Sequence, residues 1–190
     1  MIIMGIDPGL HATGYGVITA TDGHLALLDA GAIRTSPRQP LAIRLQRLYD
    51  ALAKVIDAHH PTIAALEAIY THQLYPTTAA VMAHARGVAC LISTQRQLQV
   101  VDYLPTRMKK ALTGNGHASK EQVARMVEVW LGVADESWSA DVTDALALAI
   151  AHAHIMGQTR QGLHPSGLAS TRSTGTRVRP RRFAGIDTVG

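Results

Sequence analysis

The 190-residue chain carries 18 Lys and Arg against 14 Asp and Glu, a formal charge of +4, with 47% apolar residues and one cysteine. That length and apolar fraction fit one globular domain with a real core, followed by a tail, and no uninterrupted apolar stretch reaches the roughly 18 residues of a membrane span. No charged segment precedes the short N-terminal apolar run and Cys90 has no internal disulfide partner, so the chain reads as cytoplasmic, with Cys90 a small buried thiol.

In chain order, residues 2–7 are apolar up to the closing Asp7 rather than alternating, which predicts a central strand. Residues 14–20 and 25–33 predict two more, joined at Asp22-Gly23, a strong hairpin-turn signal. Leu41, Leu45, Leu48, Leu52, Val55 and Ile56 recur at helical spacing between about residues 39 and 58, and Pro61 follows where a helix should stop. Ile63-Ala64-Ala65-Leu66 is a further strand, ending in Glu67. Residues 77–94 are apolar and small on nearly every face. That pattern predicts a helix buried on two sides, either by the sheet and another helix or by a partner subunit, so a dimer interface is one expectation there. Residues 98–102 read as a short strand, 119–131 as a helix and 140 to about 156 as the last helix. The order gives an α/β fold, a mixed five-stranded sheet flanked by helices.

Residues 1–157 form the expected domain, holding 12 basic against 13 acidic side chains, while residues 158–190 hold 6 Arg against Asp187 in a Gly, Ser and Thr background. A disordered basic tail is expected. Within the domain, Arg86, Arg96, Arg107, Lys109, Lys110, Lys120 and Arg125 face only Asp102 and Glu121 between residues 86 and 125, which marks a candidate polyanion-facing surface.

Asp7 and Glu67 each close an apolar strand, and ligands in such sheets gather beyond the carboxyl ends of parallel strands. Asp141 and Asp144 stand three apart at the start of the last helix and therefore share a face. Two carboxylates about 4 Å apart repel by roughly 4 kcal/mol at an effective dielectric of about 20. If these acids converge, protons or divalent cations must neutralise them. Each has an ordinary alternative: Asp-Pro-Gly is a common turn, and acids suit the positive end of a helix dipole. Glu67 is harder to explain away, being a poor strand former in an apolar setting. By position alone Asp102 is a fifth candidate, since it too ends an apolar strand.

Taken together the motifs are more specific. Ile3-Met4-Gly5-Ile6-Asp7-Pro8-Gly9, then Thr13 to Ile18, Leu66-Glu67 with Tyr70, Ala85-Arg86-Gly87-Val88-Ala89, Gly114 to Val123, and Asp141-Val142-Thr143-Asp144-Ala145-Leu146-Ala147 resemble, in order, the RuvC family of Holliday junction resolvases. The resemblance covers about residues 1–156. It implies an RNase H-like fold, a homodimer, and Mg²⁺-dependent cleavage of four-way DNA junctions by paired nicks in strands of like polarity, in recombination and repair.

Carried over residue by residue, Asp7, Glu67, Asp141 and Asp144 match the acidic quartet, as catalytic residues and as ligands of two Mg²⁺ per subunit, with Mn²⁺ as a substitute. Asp102 matches no catalytic position. Tyr70 matches an aromatic position near the junction centre, and Lys109 and Lys120 match basic positions serving DNA. Lys110 and Arg86 complete the expected DNA contacts. A branch-migration motor complex is a further partner implied by the resemblance alone. The chemistry agrees: two divalent ions about 3.5–4 Å apart activate water and stabilise both the attacking and leaving oxygens, carboxylates suit Mg²⁺, and an aromatic face supports an unstacked base. The segment Thr71 to Thr78 departs from the family pattern, apparently one residue longer and lacking its Lys-Asn, and His72, His84 and His117 read as structural or surface residues.

Two other classes share parts of this pattern. Gly-Ile-Asp-Pro-Gly also resembles the first phosphate-facing turn of actin-like ATPases and sugar kinases, but those need two such domains and a second glycine-rich turn, which this length does not accommodate. A junction-binding protein without cleavage is disfavoured by the complete quartet.

Overall fold

The computed structural model describes residues 1–68, 76–133 and 138–157. Tyr70, His72, most of the altered segment after Tyr70 and the tail from residue 158 lie outside the described residues.

Three antiparallel strands open the chain: β1 (Ile2–Asp7), β2 (Ala12–Thr21) and β3 (His24–Arg34). The β2–β3 turn is the two residues Asp22 and Gly23, both with positive φ (50° and 82°), the geometry that such hairpins need to match strand twist. Helix α1 (Leu41–His59) then carries the chain to β4 (Ile63–Glu67), which pairs parallel to β1; α2 (Pro76–Gln95) leads to β5 (Gln99–Tyr103), parallel to β4. The sheet order is β3-β2-β1-β4-β5, so β1 is central and apolar on both faces, as its continuous pattern predicts. Helices α3 (Pro105–Thr113), α4 (Lys120–Leu131) and α5 (Ala140–Ile155) complete the chain.

Alternation along the strands builds two cores. Ile3, Ile18, Ile63 and Ala65 pack with α3, α4 and α5, while Met4, Ile6, Val17, Ala64 and Leu66 pack with α1 and α2. The fold is therefore a mixed sheet between two helical layers. Helix α5 is apolar all round and its residues from Ala145 to Ala153 are buried. It lies directly on the sheet because β1 and β2 offer glycines. A Cβ on Gly5 would collide with the carbonyl oxygen of Ala145 and come within 2.9 Å of the Ala149 nitrogen; one on Gly14 would meet the backbone of Asp141 and stand 2.9 Å from the Val142 nitrogen.

Some expectations need correction. Helix α3 was not foreseen, because only Met108 and Leu112 of its nine residues are buried and periodicity is weak over so short a span. Its boundaries were legible nonetheless: proline in the first turn and Gly114 in the left-handed region beyond the end. Strand β5 ends one residue later than expected, at Tyr103 rather than Asp102. Cys90 is half-buried rather than buried, because α2 seats only one face, through Ala85, Ala89, Ile92 and Ser93. Its other face, with Ala80, Ala83, Gly87 and Leu91, is open in the single chain.

Candidate active site

The parallel β1–β4 register pairs Ile6 with Leu66, so Asp7 and Glu67 emerge side by side at the carboxyl ends of the two central strands. Across the sheet pairing, Asp7 lies opposite Gly14, the residue that α5 overlies with Asp141. The glycine seat thus delivers the first turns of α5, and with them Asp141 and Asp144, to the strand ends. Four acids from three distant segments converge.

Their electrostatics record the proximity. Burial, then the charges of Glu67, Asp144 and Asp141, push the Asp7 carboxyl well above the ordinary carboxylate range. The two carboxyls are close enough for a hydrogen bond between them, which raises Asp7 and lowers Glu67. Glu67 is still raised on balance, mainly by burial and also by Asp144. Asp144 is raised by burial and by Asp141, against the opposing pull of Lys120 and Lys109. The Lys120 Nζ stands 3.8 Å from the Asp144 Oδ2, and the Lys109 ammonium donates to the Ala118 carbonyl at 2.7 Å. Lys110, the next residue on α3, is exposed.

Among the described residues, no three Asp, Glu, His or Cys side chains meet in a ready coordination sphere. The donor set nevertheless fits a hard divalent cation. It consists of carboxylate oxygens, and burial and mutual repulsion raise three of the carboxyls, Asp7, Glu67 and Asp144, as expected where a cation would offset the charge.

The loop that leaves Asp7 is tied down on every side. The buried Thr13 hydroxyl donates to the Gly9 carbonyl at 2.6 Å, the Thr35 hydroxyl to the Leu10 carbonyl, and the Thr35 amide to the His11 carbonyl at 3.1 Å. Arg44, only 9% exposed, donates to the Thr35 hydroxyl at 2.9 Å and to the Leu10 carbonyl at 3.1 Å. Burying a guanidinium is costly, so this contact marks a constraint on the loop. Sequence reading passed over Arg44, although the signal existed: it falls in phase with Leu48, Leu52 and Ile56 on the buried stripe of α1.

Arg86 Nη1 donates to the Glu67 carbonyl at 3.1 Å and Nη2 to Asp102 Oδ2 at 2.7 Å. Asp102 is therefore apart from the quartet and paired with an arginine. His84 and His117 are exposed. His152, not singled out from the sequence, is buried and accepts from or donates to the Tyr103 hydroxyl at 2.8 Å.

A family model, crossover junction endodeoxyribonuclease RuvC, matches residues 3–152, a span that contains all four acids. The chain belongs to the RuvC family. Relatives of that name include one from Pelotomaculum thermopropionicum, 43% identical over 154 residues (81% of this chain and 93% of the relative). Another, from Treponema pallidum, is 41% identical over 177 residues, covering 93% and 87%. Among solved structures, Thermus thermophilus RuvC in complex with a Holliday junction substrate superposes with a TM-score of 0.76 at 32% identity, covering 83% of this chain and 97% of that one. The RuvC likeness and the sheet order agree on an RNase H-like fold for the whole matched span.

Proposed function

We propose that this chain resolves four-way DNA junctions as a structure-selective endonuclease, hydrolysing phosphodiesters at the site formed by Asp7, Glu67, Asp141 and Asp144. The observation that carries the reading is the convergence of two strand-end acids with two acids of α5, in a RuvC-family chain, next to Lys109 and Lys120.

The division of labour follows from chemistry. Asp7, Glu67, Asp141 and Asp144 would hold two Mg²⁺, with Mn²⁺ able to substitute. When bound, such ions supply a hydroxide nucleophile at neutral pH and stabilise charge on the attacking and leaving oxygens. A bound cation would favour the charged forms of Asp7 and Glu67, which burial and repulsion raise, and Lys120 favours the charged form of Asp144. The ammonium groups of Lys109, Lys110 and Lys120 position the phosphate backbone without reading sequence. Tyr70 offers a stacking face for a base unpaired at the crossover, worth about 1–3 kcal/mol.

Paired nicks in strands of like polarity require two sites related by a two-fold axis, hence a homodimer. The open face of α2, with Ala80, Ala83, Gly87 and the 53%-exposed Leu91, supports a self-complementary contact there. We assign residues 158–190 as an appendage that adds sequence-independent phosphate contacts, and a branch-migration motor as the partner in the cell. No helix among the described residues is long and apolar enough to cross a membrane, in keeping with a cytoplasmic DNA enzyme.

The test is direct. Purified protein with Mg²⁺ should cut a synthetic mobile junction and spare matched linear duplex, and Asp7→Asn should bind the junction without cutting. Equal cleavage of linear duplex by the wild type would overturn the junction assignment.

A further inference from the structure

Arg86 belongs to the basic segment expected to face DNA, yet its guanidinium is spent inward. Its side chain is 18% exposed, with one nitrogen on the Glu67 carbonyl and another on the Asp102 carboxylate. The location gives those contacts meaning. The β4–β5 register pairs Leu66 with Asp102 and Glu67 with Tyr103, and the Ala68 amide closes the ladder on the Tyr103 carbonyl at 2.9 Å. Glu67 is the last residue of β4. A strand-end residue has the least backbone support, and Glu67 is a residue whose carboxylate direction matters.

We propose that Arg86 and Asp102 form a positioning pair that clamps the Glu67 carbonyl and so fixes the direction of the Glu67 carboxylate. The inference rests on reading Glu67 as a catalytic acid. Asp102 neutralises the guanidinium and aims its fork; Arg86, carried on α2, reaches over both strands. The planar guanidinium holds the carbonyl and the carboxylate on two separate nitrogens in fixed relative directions, which the single point-like nitrogen of a lysine does not impose. Stability is a poor explanation, because Asp102 is 49% exposed and ion pairs so open to water contribute little. The pairing also accounts for Asp102, an acid at a strand end that the quartet leaves out.

A direct DNA contact by Arg86 and a positioning role predict opposite behaviour for Asp102→Asn. Removing an acid near a phosphate-binding surface should tighten junction binding and leave or improve cleavage. Loss of a clamp should instead lower kcat about 10–100-fold, the usual cost of losing an outer support of a site. Junction Kd and its salt dependence would then stay at the wild-type level, and the Mg²⁺ midpoint would move upward. Arg86→Lys should behave like Asp102→Asn. Both variants are to be compared by single-turnover cleavage over a Mg²⁺ series, with thermal melts alongside and Glu67→Gln in parallel. Wild-type kcat and Mg²⁺ dependence in Asp102→Asn overturns the clamp. So does weakened, less salt-dependent binding with unchanged kcat in Arg86→Lys, or failure of both variants to fold, which would make the pair a stability element. Retained cleavage by Glu67→Gln would instead defeat the catalytic reading of Glu67 itself.

Discussion

Lys120 Nζ lies 3.8 Å from Asp144 Oδ2, with the lysine side chain 74% exposed and the aspartate 27% exposed. The pair joins the start of α4 to the start of α5, so an exposed lysine biases an acid of the candidate site. Its position is secured by a capping box: the Ser119 hydroxyl accepts from the Gln122 amide, and the Gln122 side chain accepts from the Ser119 amide. Lys120→Met should therefore act twice. Asp144, already raised by burial, loses the charge that lowers it, so the acid limb of the cleavage profile should move to higher pH. Junction binding should also lose about one unit of salt slope. Single-turnover rates from pH 5 to 9 and Kd against salt measure both, and an unmoved acid limb would remove Lys120 from the site's electrostatics.

Gly5→Ala tests the seat of α5. The added methyl meets helix backbone, the Ala145 carbonyl and the Ala149 nitrogen, rather than a side chain that can swing away. Overpacking typically costs about 1–3 kcal/mol. The helix must lift, carrying Asp141 and Asp144 away from Asp7. The expected outcome is a lower Tm together with at least tenfold slower cleavage, and a wild-type cleavage rate would show that the acids do not depend on this close approach.

The acids make a stability prediction with a definite sign. Asp7, Glu67 and Asp144 are raised on folding, so their contribution is fully present below the unfolded carboxylate values near 4 and is lost as pH rises through the folded values. At pH 8 their charged forms strain the native state. Asp7→Asn should thus raise Tm in chelator-treated protein at pH 8, by on the order of 1 kcal/mol or more, equivalent to about 2–4 °C per kcal/mol for this chain size. MgCl₂ should raise the wild-type Tm at pH 8 and do so far less at pH 5, where protons replace it. A destabilised Asp7→Asn at pH 8 would contradict the repulsion that defines the site.

His152 works in the opposite sense. Burial lowers its pKa, so its contribution is present above the unfolded value of about 6.5 and is lost as pH falls from there through the folded value. His154 is also lowered by burial, with the Ala111 carbonyl partly opposing. Substituting His152→Gln should flatten the fall in stability between pH 7 and 5 while lowering stability at pH 8, where the Tyr103 contact is disturbed. Urea midpoints across that range decide it; parallel curves for wild type and variant would show that His152 does not titrate with folding.

Much of the architecture was legible because its causes are local. The unbroken apolar run before Asp7 marked a central strand, Asp22-Gly23 marked its hairpin, and Leu48, Leu52 and Ile56 marked the inner face of α1. Helix α3 escaped because nine residues with two buried side chains give too short a period. The four acids were legible as candidates, and so by position was Asp102; the residues alone singled out only Glu67 as hard to explain otherwise, and the family resemblance left Asp102 out.

The sequence by itself determined the five strands and every helix but α3, and that Asp7 and Glu67 close two of the strands, since propensity and alternation act over a few residues. Which acids belong together was already implied by the family resemblance; only the tertiary structure decided how they approach one another. Parallel register put Glu67 beside Asp7, and the glycines of β1 and β2 let α5 bring Asp141 and Asp144 to them. The same packing turned Asp102 toward Arg86 and buried Arg44 under the loop beyond Asp7. Electrostatic repulsion weakens with distance and is screened beyond about 10 Å, so convergence in space is what makes separate charged residues act on one another.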